Sequence, residues 1–245
     1  MKHSKRELKL MMTDVNVSHA QKMFIQKYLS TLKVVRIYQM LILVAFIAFW
    51  EVATIIKIID PFVFSSPSRV VDTFLGMAGD GTIFYHMFIT IGETFISFIL
   101  VILIGILIAV ILWWNEKISK ILEPYLVVLN SLPKSALAPV FIVWLGSNMK
   151  TIIICAISVA VFGTIITLYT AFNEVEEDKI KLIQTLGGTK KDELFKVILP
   201  SNVPSIISVM KVNIGLSLVG VIIGEFLAAK AGLGYLIIYG SQVFT

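Results

Sequence analysis

The sequence predicts an all-α fold, that of a polytopic helical membrane protein, and two observations lead to this fold class. Apolar residues make up 57% of the 245 positions and charged residues 15%, whereas soluble domains hold about 45–50% and about 25%. The apolar residues also fall in several continuous runs of about twenty or more, which are too long to be hidden in one soluble core. Because these runs lack the alternation of membrane strands, helices are the predicted spanning elements.

The apolar runs, taken in chain order, predict five spans. They cover residues 37–58, 86–114, 121–145, 151–172 and 203–228. After the first span, Pro61 and Pro67 exclude a long helix start, and 68–76 is predicted to form a short interfacial helix. The third run contains Pro133 and Pro139, each without a backbone N–H, so this helix must bend or unwind.

Positive charge predicts the orientation of the spans. Residues 1–36 carry eight Lys and Arg, the turn 115–120 carries two, and the loop 173–202 carries five, together fifteen of the 21 in the chain. This bias predicts a multi-pass protein of the cytoplasmic membrane, with these three segments and therefore the N-terminus inside the cell. The predicted domains are a basic cytoplasmic segment, 1–36, and a membrane domain, 37–245, which includes the loop 173–202. Because the positive residues flank the apolar runs instead of lining one face, nucleic acid is excluded as a partner.

The loop between the fourth and fifth spans is the one long polar interruption of the membrane runs. A first helix is expected from a cap at Asn173 to Gly187 and Gly188. A second is expected from a cap at Thr189 to Pro200, which ends or redirects it. Both caps have an acidic residue three positions on. Apolar residues recur at helical spacing in both halves: Ile180, Ile183, Leu186, Leu194, Val197 and Ile198. Two short amphipathic helices set at an angle are elements that the groove of a partner protein can hold.

No catalytic, metal or nucleotide motif is found in the sequence. The His and Cys residues are scattered without metal-ligand spacing. The nearest approach to a phosphate-binding loop, residues 146–151, has Met149 where a Gly must precede the Lys. The chain is therefore not expected to be an enzyme or to bind a cofactor, and if ATP drives it, a different polypeptide binds the nucleotide.

Four ionisable residues fall at or near membrane depth: Glu93, Lys134, Lys211 and Glu225. A charge at the membrane centre costs about 2.5–3.5 kcal/mol on insertion scales, so each needs a partner or water. For Glu93 and Lys134, two interpretations stay open: a structural one, as an ion pair or on a hydrated helix face, and a role towards substrate. Lys211 is expected to extend to the nearer membrane interface. Glu225 lies beside a stripe of small residues that favours close helix packing, and it is either a structural lock or part of a gate. The stripe consists of Gly220, Gly224 and Ala228.

Four motifs, in a fixed order, carry a resemblance to a known family: PFVFSSPSRV after the first span, EPYLVVLNSLPKSALAPVFIVWLG in the third, LGG and VILP in the polar loop, and GEFLAAKAGLGYLI at the end. From about residue 37 to 245, the chain resembles the transmembrane permease subunit of a bacterial ABC importer. The resemblance is to the branch with sulfonate, taurine and nitrate permeases, which also holds relatives for thiamine-precursor pyrimidines and riboflavin. It implies the type I importer permease fold. Members of the branch continue into a sixth span, whereas this sequence stops at Thr245, so five spans are expected here.

In such permeases the polar loop is the coupling loop, with the signature Glu-Ala-Ala, three residues, Gly, nine residues and Ile-x-Leu-Pro. Gly187 and Pro200 match it here, whereas the opening triplet begins at Lys181, which reverses the acidic charge. The resemblance implies that an ABC ATPase subunit grips this loop. The residues expected to carry the contact are Ile183, Leu186, Gly187, Gly188, Leu194, Phe195 and Pro200.

The resemblance further implies an importer of a small solute, either a sulfonate-, taurine- or nitrate-like anion or a vitamin-precursor-type compound. Two copies would form a homodimer around a central path, and an extracellular solute-binding protein would deliver the solute. ATP, used by the ATPase subunit, would drive alternating access. The residues expected along the path are Asn130, Ser131, Lys134 and Glu225, with Lys134 as the counter-charge for an anion. The alternative is a non-transporting membrane scaffold that docks a cytosolic regulator through residues 174–200.

Overall fold

The computed structural model describes residues 18–243, so the first half of the predicted basic segment and the chain end at Thr245 lie outside the described residues. The chain divides into two compact units, Met1–Gly76 and Met77–Thr245. The first holds the helices α1 His19–Ile55 and α2 Pro61–Phe64 and most of α3 Pro67–Gly79. The second holds, in order, α4 Thr82–Trp114, α5 Glu116–Ser131, α6 Lys134–Leu145, α7 Met149–Asn173, α8 Glu177–Thr185, α9 Lys190–Glu193, a π-helical turn Leu194–Ile198, α10 Leu199–Ser201, α11 Val203–Ala228 and α12 Leu233–Val243.

In the first unit, the predicted first span is the C-terminal part of a longer helix. Helix α1 runs over 37 residues, so the described part of the basic segment is helical and continuous with the span. Pro61 and Pro67 are the first residues of α2 and α3, positions at which the missing N–H is not needed. The helix predicted at 68–76 is confirmed as α3, and its place at the membrane interface stays a prediction. Its Ser68 donates from N and Oγ to the Glu51 carboxylate at 3.1 and 2.8 Å, which ties α3 to α1.

The second unit is built around α7, which packs against both α4 and α11. On one side, apolar side chains of α4 and α7 form a buried cluster. On the other side, the backbones approach so closely that a Cβ added to Gly220 would lie 2.6 Å from the Cα of Ala156. Gly224 and Ala228 continue this contact along α11. The small-residue stripe therefore lies at the interface of α7 and α11, where small side chains permit close helix packing.

The third predicted span consists of two helices, α5 and α6, whose axes are bent by 97°. The break lies at Leu132 and Pro133, because a proline nitrogen cannot donate to the preceding turn. Pro139, in contrast, lies inside α6 without ending it. The predicted bend is therefore confirmed, and the first of the two prolines produces it.

The bent pair connects the two ends of the helical core. At its start, Ser119 Oγ donates to the hydroxyl of Tyr169, near the C-terminal end of α7. Just after its end, Ser147 Oγ donates to the carbonyl of Ala228, the last residue of α11. Because α7 and α11 are antiparallel, with Ile152 of α7 against the C-terminal half of α11, these contacts lie at opposite ends of the core. The described chain has four long apolar helices. With α5 and α6 counted as one broken span, the total is the five spans that were predicted.

The loop between α7 and α11 forms two short helical segments, as predicted, but one predicted boundary is wrong. Asn173 does not cap the first segment: it ends α7, its Nδ2 donates to the Tyr169 carbonyl at 3.0 Å, and α8 begins after Glu176. The second segment ends at Ser201, one residue past Pro200, and a new helix begins at Val203, so the end or redirection predicted at Pro200 is confirmed. A π-helical turn, Leu194–Ile198, precedes Pro200.

Gly220→Ala is expected to lower the thermal stability of the purified full-length chain. Overpacking of this kind costs about 1–3 kcal/mol, because the added methyl group meets the backbone of Ala156 and not a flexible side chain. Gly215→Ala on the same helix is the matched control, since a Cβ there meets no atom within 4 Å and alanine favours a helix by about 1 kcal/mol. Equal melting temperatures for the two variants would contradict the close approach of α7 and α11.

Candidate coupling loop and membrane site

The turn between α8 and α9 has backbone geometry that requires glycine. Gly187 has a φ of 77°, a left-handed conformation that residues with a Cβ disfavour. The N–H of Gly188 donates to the Ile183 carbonyl at 2.9 Å, which closes α8 in the manner of a glycine C-cap. Thr189 then caps α9, since its Oγ1 accepts from the Asp192 N–H at 3.4 Å, while its own N and Oγ1 donate to Asp192 Oδ2 at 2.9 and 2.7 Å. The helix end predicted at the two glycines and the cap predicted at Thr189 are both confirmed.

One side of the loop is anchored to the ends of the core helices. Leu194 and Ile198 are buried with Phe172 of α7 in an apolar cluster. Lys190 Nζ donates to the Trp114 carbonyl at 2.6 Å and lies over the neighbouring indole rings, a position that stabilises the cation. The loop therefore packs as one body with the ends of α4 and α7.

The other side of the loop presents apolar side chains that the described residues leave uncovered. Leu186 and Phe195 are 75% and 58% exposed, and Leu182 is 59% exposed. These three residues are called the loop face below. Leu182 was not predicted for this contact, although its spacing of four residues to Leu186 places both on one side of a helix. Of the other residues predicted for this contact, Ile183 is half-buried and Pro200 is exposed.

The charges of the loop are paired locally. Lys181, which stands where the family signature has an acidic residue, donates to Glu177 Oε2 at 2.9 Å and lowers the pKa of that carboxyl. Lys196 lies 2.7 Å from Asp192, and together with Thr189 it holds the pKa of the Asp192 carboxyl well below its ordinary value. Both ion pairs lie at the surface, with Asp192 half-buried, and join residues four positions apart, so they stabilise local helix and little else.

At the opposite end of the core, a buried carboxylate holds the backbone that follows α11. Glu225 is 1% exposed, and it accepts hydrogen bonds from Thr90 Oγ1 at 2.7 Å and from Gly234 N at 2.6 Å. His86 Nδ1 accepts from Gly232 N at 2.9 Å. These five residues, called the latch below, tie α4 and α11 to the start of α12. Glu225 thus has partners for both carboxylate oxygens, as a buried acidic group needs.

The latch depends on glycine and lies beside a second carboxyl group. Gly232 has a φ of 118°, and a Cβ there would lie 2.3 Å from Glu225 Oε1. Glu93 is also buried and lies next to Glu225, and its Oε2 has no hydrogen-bond partner among the described residues. Both glutamates stood out in the sequence as ionisable residues at membrane depth, whereas His86 and Thr90 were not predicted. The only sequence signal for that pair was their spacing of four residues on α4.

The residues predicted to line a path near the broken span are only partly brought together. Lys134 Nζ donates to backbone carbonyls at the end of α5, among them that of Asn130, so it closes that helix. Ser131 Oγ bonds within its own helix at 2.8 Å. No ion pair joins Lys134 to Glu93 within the part of the chain that the structure describes, and Glu225 has its partners in the latch.

Comparisons with known proteins agree on one family. The sequence pattern of the family described as "Binding-protein-dependent transport system inner membrane component" matches residues 101–244. Among curated relatives, the formylaminopyrimidine transport permease protein ThiX of Halalkalibacterium halodurans is 27% identical over 186 residues, which cover 76% of this chain and 74% of the relative. The putative aliphatic sulfonates transport permease protein SsuC of Bacillus subtilis is 26% identical over 80% of this chain and 71% of its own length. The taurine transport system permease protein TauC of Escherichia coli is 25% identical over 77% of this chain and 70% of its own length.

A solved structure shares the fold. It is a structure of inward-facing conformations of the MetNI methionine ABC transporter, with a TM-score of 0.57 over 64% of this chain and 80% of that chain, at 20% sequence identity. The type I permease fold and the resemblance to sulfonate, taurine and nitrate permeases are thereby confirmed. The chain belongs to the family of binding-protein-dependent transport system inner membrane components, the permeases of ABC transporters.

Proposed function

We propose that this chain is the transmembrane permease subunit of an ATP-driven importer of a small solute. The observation that carries the proposal is the two-sided coupling loop: Leu194 and Ile198 pack against the core, while the loop face is exposed. An exposed apolar face on a short helix fits a groove in a partner protein. Family membership indicates that this partner is an ABC ATPase subunit, which binds and uses the ATP.

The names of the relatives support two classes of solute. One is a sulfonate-, taurine- or nitrate-like anion, and the other is a vitamin-precursor-type compound such as a formylaminopyrimidine. An extracellular binding protein delivers the solute, and two copies of this chain form a homodimer around the path. The inward bias of Lys and Arg supports a cytoplasmic N-terminus and a cytoplasmic coupling loop.

Alternating access requires that a movement of the loop face reaches the far end of the membrane domain. Helices α4, α7 and α11 run from the loop end of the core to the latch end without a break. Closure of the ATPase subunits therefore moves these helices as rods, and the latch, which joins two of them, is the element that changes state. In this mechanism Glu225 locks the outer end in one state and belongs to the gate in the other.

Leu186→Asp is expected to reduce ATP-driven uptake by at least about tenfold, because an unpaired carboxylate is costly to bury in an apolar groove. Thr185→Asp is the matched control, since it places the same charge at an exposed position outside the loop face. Uptake of labelled solute by cells is the measurement, and copurification of the ATPase subunit is the second readout. Normal uptake together with normal copurification in Leu186→Asp would contradict the docking role.

Gly232→Ala is expected to open the latch, because the new methyl group would overlap the Glu225 carboxylate and alanine disfavours the φ of 118°. Amide hydrogen exchange of residues 229–234 should become faster in the full-length chain, and uptake should fall. Gly240→Ala, at a position where a Cβ meets no atom within 4 Å, should change neither. If exchange in Gly232→Ala stays as slow as in the unchanged chain, the turn is not held by Glu225.

A further inference from the structure

A cavity of about 330 Å³ lies between α5, α7 and α11, in the half of the core nearer the coupling loop. Its volume falls at the lower end of the range of small-molecule sites, about 300–1,000 Å³. Glycine and aliphatic residues form part of its wall, and five hydroxyl or amide side chains form the rest. These polar residues are Asn130, Thr164, Thr167, Ser208 and Asn213.

The described lining of this cavity contains no charged residue. Neither lysine at membrane depth lines it: Lys134 is bonded to the last carbonyls of α5, and Lys211 is exposed. The N-terminus of α6, which could also attract an anion, contributes no residue to the wall. An anion held against these groups would meet no cationic side chain of the lining, and a charge at membrane depth needs a partner or water.

Two side-chain amides, those of Asn130 and Asn213, form part of the wall of the cavity. Asn213, only 2% exposed, donates from Nδ2 to Thr164 Oγ1 at 2.8 Å, and Thr164 Oγ1 donates to the Ala160 carbonyl at 2.8 Å. This chain of bonds fixes the Asn213 amide and leaves its oxygen as an acceptor. The amide of Asn130 forms no side-chain hydrogen bond to any described residue, and it faces α7 where Gly163 leaves room.

A side-chain amide offers a donor and an acceptor side by side, which matches the edge of a nitrogen heterocycle, as asparagine does with adenine. We propose that this cavity is a solute subsite on the transport path, and that it takes an uncharged heterocycle of the aminopyrimidine class and not a sulfonate or nitrate anion. The proposal rests on the proposed function and names its solute class.

The test measures ATP-dependent uptake of three labelled probes by cells that hold the full-length chain with its ATPase subunit and solute receptor. The probes are a neutral formylaminopyrimidine, an alkanesulfonate and nitrate. We expect uptake of the pyrimidine alone. Asn130→Ala should reduce it by about tenfold, the effect of losing about 1.4 kcal/mol. Thr167→Val, which keeps the side-chain shape and removes one hydroxyl, should reduce it severalfold.

Val128→Ala is the control, since Val128 is exposed on α5 and does not line the cavity, and it should leave uptake unchanged. Uptake of the alkanesulfonate or nitrate in place of the pyrimidine would overturn the inference while leaving the importer function intact. Pyrimidine uptake that is unaffected by Asn130→Ala and Thr167→Val would also overturn it, because the solute would then pass elsewhere. If none of the probes is taken up in an ATP-dependent way, the proposed function fails together with the inference.

Discussion

The close packing of α7 between α4 and α11 is the contact on which both polar ends of this protein depend. In a membrane, apolar surface gains nothing by leaving lipid for another helix, so association rests on van der Waals contact at short range. Gly220 and Gly224 allow this short distance, because without side chains at these positions the backbone of α11 lies directly against Ala156 and Ile152. The coupling loop is attached to one end of these helices and the latch to the other. A shift of α11 along α7 would therefore alter both ends together.

The two ends differ in the kind of interaction that holds them. At the loop end, Leu194, Ile198 and Phe172 form an apolar contact, which has no preferred direction and tolerates small rotations. At the latch end, Glu225 and His86 hold backbone N–H groups at 2.6 and 2.9 Å, and hydrogen bonds weaken steeply with misalignment. An apolar contact can therefore follow a moving partner, whereas the latch is either formed or broken. This difference fits a transmitting element at one end and a gate at the other.

Membrane spans were predictable because the length of an apolar run is fixed by the thickness of the bilayer. The fifth span was predicted at 203–228, and α11 has those bounds. Helix ends in the loop were less predictable. Asn173 is a residue type that commonly caps helices, but here it is the last residue of α7. Only the packing of the neighbouring Phe172 in the folded protein shows that α7 extends this far. The π-helical turn before Pro200 could not be predicted from the periodicity of the apolar residues.

The latch and the cavity were hidden from sequence analysis for a different reason, since their members are distant in the chain and become neighbours only after folding. Once they are placed, their hydrogen bonds separate the roles that sequence alone left open for the polar residues of the membrane domain. Both carboxylate oxygens of Glu225 are occupied by Thr90 and Gly234, so a solute could bind it only by breaking the latch. The amide of Asn130 has no such partner among the described residues and faces a space large enough for a small molecule. A polar group whose hydrogen bonds are already formed within the protein stabilises the fold, whereas a polar group without a partner is available to a ligand.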